Sequence, residues 1–189
     1  MGTATSLSFG GSPTLARVEA VDELRSLVSA ARAGDDRAFE RLYERFSRMV
    51  HGILLARVPQ LHVEDLVQEV FLVAWQRLDA LRDDAAFGGW LAMIARNRAT
   101  DFRRQAVETV PLGEGPSTES SATAPLEAVR ALDAIRSLPD AYRETLVLRL
   151  VEGFTGPEIA DRTGLTPASV RVNLHRGMKL LREKLGVER

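Results

Sequence analysis

The sequence predicts an all-α protein: two small helical domains joined by a flexible acidic linker. Three observations predict it. Apolar residues recur at the spacing of amphipathic helices along most of the chain, and no segment alternates as a half-buried strand would. The stretch AVETVPLGEGPSTESSATAPLEAV, residues 106–129, breaks that pattern with three prolines, two glycines and a cluster of Ser and Thr. It also carries Glu108, Glu114, Glu119 and Glu127 with no Lys or Arg. The boundaries that follow are a flexible tail over 1–20, a first domain over 21–105, a linker over 106–125 and a second domain over 126–189.

The totals agree with two small cores. A chain of 189 residues with 45% hydrophobic residues can bury them, and 27% charged residues is ordinary for a globular protein. The net charge is −1, so any polyanion partner has to be argued from where the charges lie. The absence of cysteine excludes disulfides and thiolate metal sites. No apolar run approaches the roughly 20 residues that span a bilayer. The N-terminus MGTATSLSFGGSPTL lacks the basic start and apolar segment of a secretory signal, so a cytoplasmic protein with no membrane insertion of its own is expected.

The elements follow in order. VEAVDELRSLVSAARAG reads as a helix ending at Gly34. DDRAFERLYERFSRMVHGILLARV starts after an Asp cap, aligns Phe39, Leu42, Tyr43, Phe46 and Val50, and stops before Pro59. Residues 63–82 form a third helix. GGWLAMIARNRATDFRRQ forms a fourth, opened by the breaker pair Gly88 and Gly89. Beyond the linker, shorter helices are expected over about 126–137, 140–152, 156–163 and 167–185.

The last two make the most specific signal. Thr155 can cap a helix, with Glu158 three residues on to close a capping box. Gly164 supplies the turn, Thr166 caps the next helix, and Pro167 takes its first position, where a missing N–H costs nothing. This is the spacing of a helix-turn-helix. Wound at 100° per residue, Val170, Leu174, Gly177, Leu181 and Leu185 face the core. Ala168, Ser169, Val172, His175, Arg176 and Lys179 lie opposite, flanked by Arg171 and Arg182. Residues 169–189 hold six Lys/Arg against two Glu. Such a face suits a major groove: its first residues, from Thr166, reach base edges, Val172 meets a thymine methyl, and the arginines hold phosphates.

The first domain presents two different faces. On helix 63–82 the apolar side is Val63, Leu66, Val67, Val70, Phe71, Ala74, Trp75, Leu78 and Leu81. Opposite lie Asp65, Gln68, Glu69, Gln76 and Asp79, with Leu72 among them and no basic residue. An acidic face with a central leucine suggests a basic, partly apolar protein partner. The next helix places Trp90, Leu91, Ile94, Ala95 and Phe102 inward and Arg96, Thr100, Arg103 and Arg104 outward. Its preceding loop, LRDDAAFGG, carries Asp83 and Phe87. A basic helix beside an aromatic-bearing loop fits single-stranded nucleic acid.

Five stretches taken together resemble one family: GDDRAFERLYERF, EDLVQEVFLVAWQRLDALR, FGGWLAMIARNRATDFRRQ, LPDAYRETLVLRLVEGFTGPEIA and ASVRVNLHRGMKLLREKL. They look like bacterial RNA polymerase sigma factors of the compact extracytoplasmic-function (ECF) group, in that family's order, from about Val21 to Leu185. The resemblance implies that Asp65, Gln68, Glu69, Leu72 and Gln76 bind the β′ clamp helices of core polymerase. It implies that Asp83, Phe87, Arg96, Thr100, Arg103 and Arg104 help melt and capture the −10 element. It implies that Thr166, Ala168, Ser169, Arg171, Val172, His175, Arg176 and Lys179 read the −35 element, while the second domain holds the β flap. An anti-sigma factor is a further implied partner. Two departures fall in the DNA-reading unit: VRVNL where the family often has VKSRL, and TGPEIA where SYxEIA is usual.

Other classes fit less well. A regulator that binds DNA unaided needs no acidic docking face, and an interaction module that never touches DNA needs no basic faces. An enzyme is not expected: there is no phosphate-cradling Gly loop, no HExxH and no cysteine nucleophile. No cofactor or metal is expected either.

Overall fold

A computed structural model describes residues 13–109 and 126–186. Among them are eight α-helices and no strand: α1 (Pro13–Arg32), α2 (Asp36–Leu55), α3 (Val63–Gln76), α4 (Phe87–Thr109), α5 (Leu126–Arg136), α6 (Asp140–Leu150), α7 (Gly156–Thr163) and α8 (Pro167–Leu185). The tail expected over 1–20 is already helical from Pro13, so α1 starts ahead of the expected boundary. The expected linker, residues 106–125, lies mostly outside the described residues, although α4 runs on through Thr109.

Local chemistry sets the ends. The Asp35 carboxylate accepts from the Arg37 and Ala38 N–H groups and starts α2. The helix expected over 63–82 stops at Gln76, and a 3₁₀ turn over Leu78–Ala80 follows. Arg32 then pins the next loop, donating to the Leu81 carbonyl at 3.1 Å and to both Asp84 oxygens at 2.6 and 3.3 Å. In the second half, the Thr155–Glu158 capping box forms, Gly164 turns at φ +73°, and the Thr166 hydroxyl accepts from the Ser169 N–H.

α2 is the axis of the molecule. It packs on α1, α3 and α4 within the first half. Its second half carries Met49, Val50, Ile53, Leu54 and Leu55, all buried, because α6 and α7 cover the side that remains. The two halves therefore share one apolar core. Glycines permit the contact. A Cβ on Gly52 would come within 2.8 Å of Leu148 and Glu152 side-chain atoms, and one on Gly88 within 2.5 Å of the Arg162 carbonyl oxygen. Gly89 and Gly164 meet backbone to backbone. The pair expected to open α4 as a helix breaker instead lies inside its first turn and admits the helix-turn-helix.

Polar contacts close the same interface. Arg136 donates to the Leu55 and Val58 carbonyls and Arg143 to the Ala56 carbonyl, so arginines from α5 and α6 satisfy the C-terminal end of α2. Burial pulls both guanidiniums below their ordinary pKa, although Asp133 and Asp140 oppose it. Phe154 lies between the Arg48 and Arg162 guanidiniums, at 5.4 and 4.7 Å. Glu152, nearly buried, accepts from His51 Nδ1 at 2.6 Å and lies 3.5 Å from Arg48 Nε. The Glu152 hydrogen bond raises the His51 pKa above 6.5 against the opposing effect of burial, and the charges of Glu152 and Glu64 add to it.

Two outcomes are expected. Gly88→Ala forces the Arg162 backbone to shift and lowers stability by about 1–3 kcal/mol, read by thermal unfolding. His51, whose folded pKa is raised, contributes fully below pH 6.5, and its contribution is lost as pH rises through the raised value. The melting temperature of the wild type should therefore fall over that window more than that of His51→Gln; identical pH profiles would remove His51 from the interface energetics.

Candidate functional site

The acidic face of α3 is built as the sequence pattern places it. Asp65, Gln68, Glu69, Leu72 and Gln76 are all exposed, Leu72 at 57%. Two details were not legible from the helix alone. Arg98 of α4 reaches Glu69 at 3.1 Å, so the neighbouring helix brings a cation to the face. Trp75, expected inward, is 37% exposed and stands edge-on to Phe39 at 4.6 Å. As Leu72 and Trp75 are three residues apart on one helix, they form a continuous apolar strip beside the carboxylates.

The second set divides. Asp83 is exposed and accepts from the Ala85 N–H, which starts a 3₁₀ turn. Thr100, Arg103 and Arg104 are exposed on α4, and the Thr100 hydroxyl donates to the Arg96 carbonyl at 2.9 Å. Phe87 does not join them. It is the first residue of α4 rather than a loop residue, it is fully buried, and its ring lies 5.2 Å from Phe46 and 5.9 Å from Trp90. A ring so enclosed positions the loop and is not available to stack on a base.

Arg96 is the second correction. It does not project into solvent: its Nε and Nη2 grip the two Glu144 oxygens of α6 at 3.0 and 2.7 Å. Arg57, just past α2, adds a contact to the same carboxylate at 2.6 Å. Burial alone pushes the Glu144 carboxyl up, but the Arg96 hydrogen bond and the charges of Arg57 and Arg96 outweigh it and hold the pKa below the usual range. In turn, the Glu144 hydrogen bond raises the Arg96 pKa. The group is an ionised carboxylate clamped between two cations. Nothing in the first-domain pattern pointed to Glu144. The available signal was in α6, where Glu144, Thr145, Leu146, Val147 and Leu148 are buried in succession.

The third set lies on one exposed surface. Thr166, Ala168, Ser169, Arg171, Val172, His175, Arg176 and Lys179 are all exposed on or at the start of α8. Val170, Gly177 and Leu181 face the core, and Gly177 lets α8 approach Leu146 and Tyr142. Leu185 departs from the expected inward set and is 42% exposed, one residue before the αL cap Gly186. Among the described residues no group of His, Cys, Asp and Glu could hold a metal ion. No helix among them is long and apolar enough to cross a membrane.

Two helical units, an acidic docking face and two basic faces can be compared with known proteins. Residues 42–109 match the family Sigma-70 region 2, and residues 128–181 match Sigma-70, region 4. The chain is 30% identical over 176 residues to the ECF RNA polymerase sigma-E factor of Escherichia coli K12, covering 84% of this chain and 92% of that protein. It is 34% identical over 168 residues to a longer sigma factor, RfaY of Xanthomonas campestris, of whose length it spans 42%. Its fold is similar to the structure of CnrH solved with the cytosolic domain of CnrY, with a TM-score of 0.61, 28% identity, and coverage of 88% of this chain and 99% of that one. Two matched regions in this order, over a fold whose outer faces carry opposite charge, make the chain a member of the sigma-70 family of RNA polymerase sigma factors, in its ECF group.

Proposed function

We propose that this sigma factor docks on core RNA polymerase through the exposed side of α3 and reads promoter DNA through α4 and α8. The observation that carries the reading is Leu72, 57% exposed between ionised and amide side chains on a helix whose opposite side is core. A leucine there gains by burial against a partner, and Asp65 and Glu69 select a basic one, which fits the β′ clamp helices. The β flap is a second polymerase contact of the C-terminal unit, as the family resemblance implies.

DNA contacts divide by chemistry. Thr166, Ala168, Ser169 and Val172 open α8 and suit base edges, while Arg171, Arg176 and Lys179 suit phosphates of the −35 element. His175 lies on the same face. Thr100, Arg103 and Arg104, with Asp83 at the preceding turn, face the −10 strand; Arg96 joins them when Glu144 is displaced. Binding energy to the melted strand shifts the population toward the open promoter, so the protein needs no catalytic group. The site of action is the cytoplasm, and an anti-sigma protein is a further partner, as the family resemblance implies.

The test is run-off transcription with purified core polymerase. Leu72→Glu is expected to abolish co-purification with core while the circular dichroism spectrum is kept; undiminished binding would sink the docking assignment. Arg176→Ala is expected to lower transcript from −35-dependent promoters roughly tenfold, the scale of one lost charge-assisted phosphate contact. Equal transcript from both proteins would remove Arg176 from the reading face.

A further inference from the structure

Arg57, in the turn after α2, and Arg96, on α4, both end on one carboxylate contributed by the second half. The Arg57 side chain is 10% exposed and that of Glu144 5%, so water screens this pair little, while Arg96 at 31% is the side open to solvent. Remove the carboxylate and two guanidiniums are left side by side. Their five-donor forks match a phosphate as well as a carboxylate, and their mutual repulsion makes any bound anion favourable.

We propose that Arg57 and Arg96 form a binding site for the phosphodiester backbone of single-stranded DNA, and that Glu144 occupies this site from within the chain while the two halves are docked. The proposal rests on the reading of α4 as a nucleic-acid face and extends it to Arg57, which lies outside that helix. Glu144 and a phosphate compete for the same donors, so strand capture and domain docking exclude one another. The remaining contacts across the interface set how hard the exchange is. His51 and Arg48 hold Glu152, Arg162 donates to the Arg45 carbonyl, and Arg136 and Arg143 cap α2. None of these carbonyl and carboxylate acceptors lies on α4, but the Leu55, Ala56 and Val58 carbonyls flank Arg57, so the exchange also uncovers the backbone that carries it.

The absence of cysteine from the sequence makes a direct experiment possible. Glu40→Cys and Glu183→Cys, at exposed positions of α2 and α8, take a donor and an acceptor dye for resonance energy transfer. The probe is a twenty-nucleotide oligo-dT, which offers phosphates without a −35 duplex and is used without polymerase. Oligo-dT binding to the otherwise wild-type chain is expected to lower transfer. Glu144→Gln is expected to lower transfer in the absence of DNA and to tighten oligo-dT binding roughly tenfold. Adding Arg57→Ala and Arg96→Ala to Glu144→Gln should cancel that gain. Oligo-dT affinity unchanged by Glu144→Gln, or a gain that survives loss of both arginines, overturns the proposal. If Glu144→Gln does not fold, the otherwise wild-type chain decides: oligo-dT bound with no change in transfer overturns it. Failure of the Leu72→Glu or Arg176→Ala tests touches polymerase docking or −35 reading and leaves this outcome intact.

Discussion

Helix α2 has no side left for water over its last turn, Gly52 to Leu55, and the rest of the molecule is arranged by that fact. A helix enclosed by α1, α3, α4, α6 and α7 must be apolar on almost every face, which Met49, Val50, Ile53, Leu54 and Leu55 supply. Its final carbonyls must also find donors, because buried backbone acceptors without partners cost as much as lost hydrogen bonds. Arg57 and the Ala56–Val58 N–H groups serve Gly52, Ile53 and Leu54, and the Leu55, Ala56 and Val58 carbonyls take donors from the other half of the chain, Arg136 and Arg143. The first unit thus finishes its central helix with side chains it does not itself own. Docking follows from this shared need as much as from apolar contact, and Gly52 and Gly88 are small because backbone has to come close there.

The same arrangement explains which parts of the protein could be read from the sequence. Caps and turns are local, so the Thr155–Glu158 box, Gly164 and the Thr166–Pro167 start of α8 stood out from spacing alone and formed as expected. Helical periodicity separated the exposed α3 face from its core side except at Trp75, and the exposed side of α8 from its buried side except at Leu185. It failed where an outer face of one unit meets the other unit. Arg96 is outward with respect to its own helix, but outward there means toward Glu144. Phe87 differs for another reason: the following glycines read as a helix breaker, which places the ring in a loop. In the fold those glycines are close-approach positions within α4, and the ring one residue earlier drops into the core. Sequence spacing marks a face; it does not say what the face will meet.

Charge is sorted in the same way. The net charge of −1 conceals an acidic exposed side on α3, a basic exposed side on α8 and a set of arginines turned inward between the halves. The inward set differs in kind from the others. Arg136, Arg143 and Arg162 all have their pKa lowered mainly by burial, and they are kept because planar guanidiniums can reach two carbonyls or lie over a ring at once. Exposed arginines such as Arg103 and Arg104 carry no such commitments to the fold. A polyanion partner therefore meets a surface in which some cations are free and others already have internal work.

The exposed side of α8 stands apart from all of this. Among the described residues, Ala168, Arg171, Val172, His175, Arg176 and Lys179 make no side-chain hydrogen bond, ion pair or ring contact with the rest of the chain; of the reading set, Thr166 and Ser169 alone are bonded, through the cap that starts the helix. The fold asks nothing of these six positions beyond helix compatibility. In evolutionary terms this surface is modular: a lineage can exchange its side chains one at a time without renegotiating the core, the interface between the halves or the acidic face of α3.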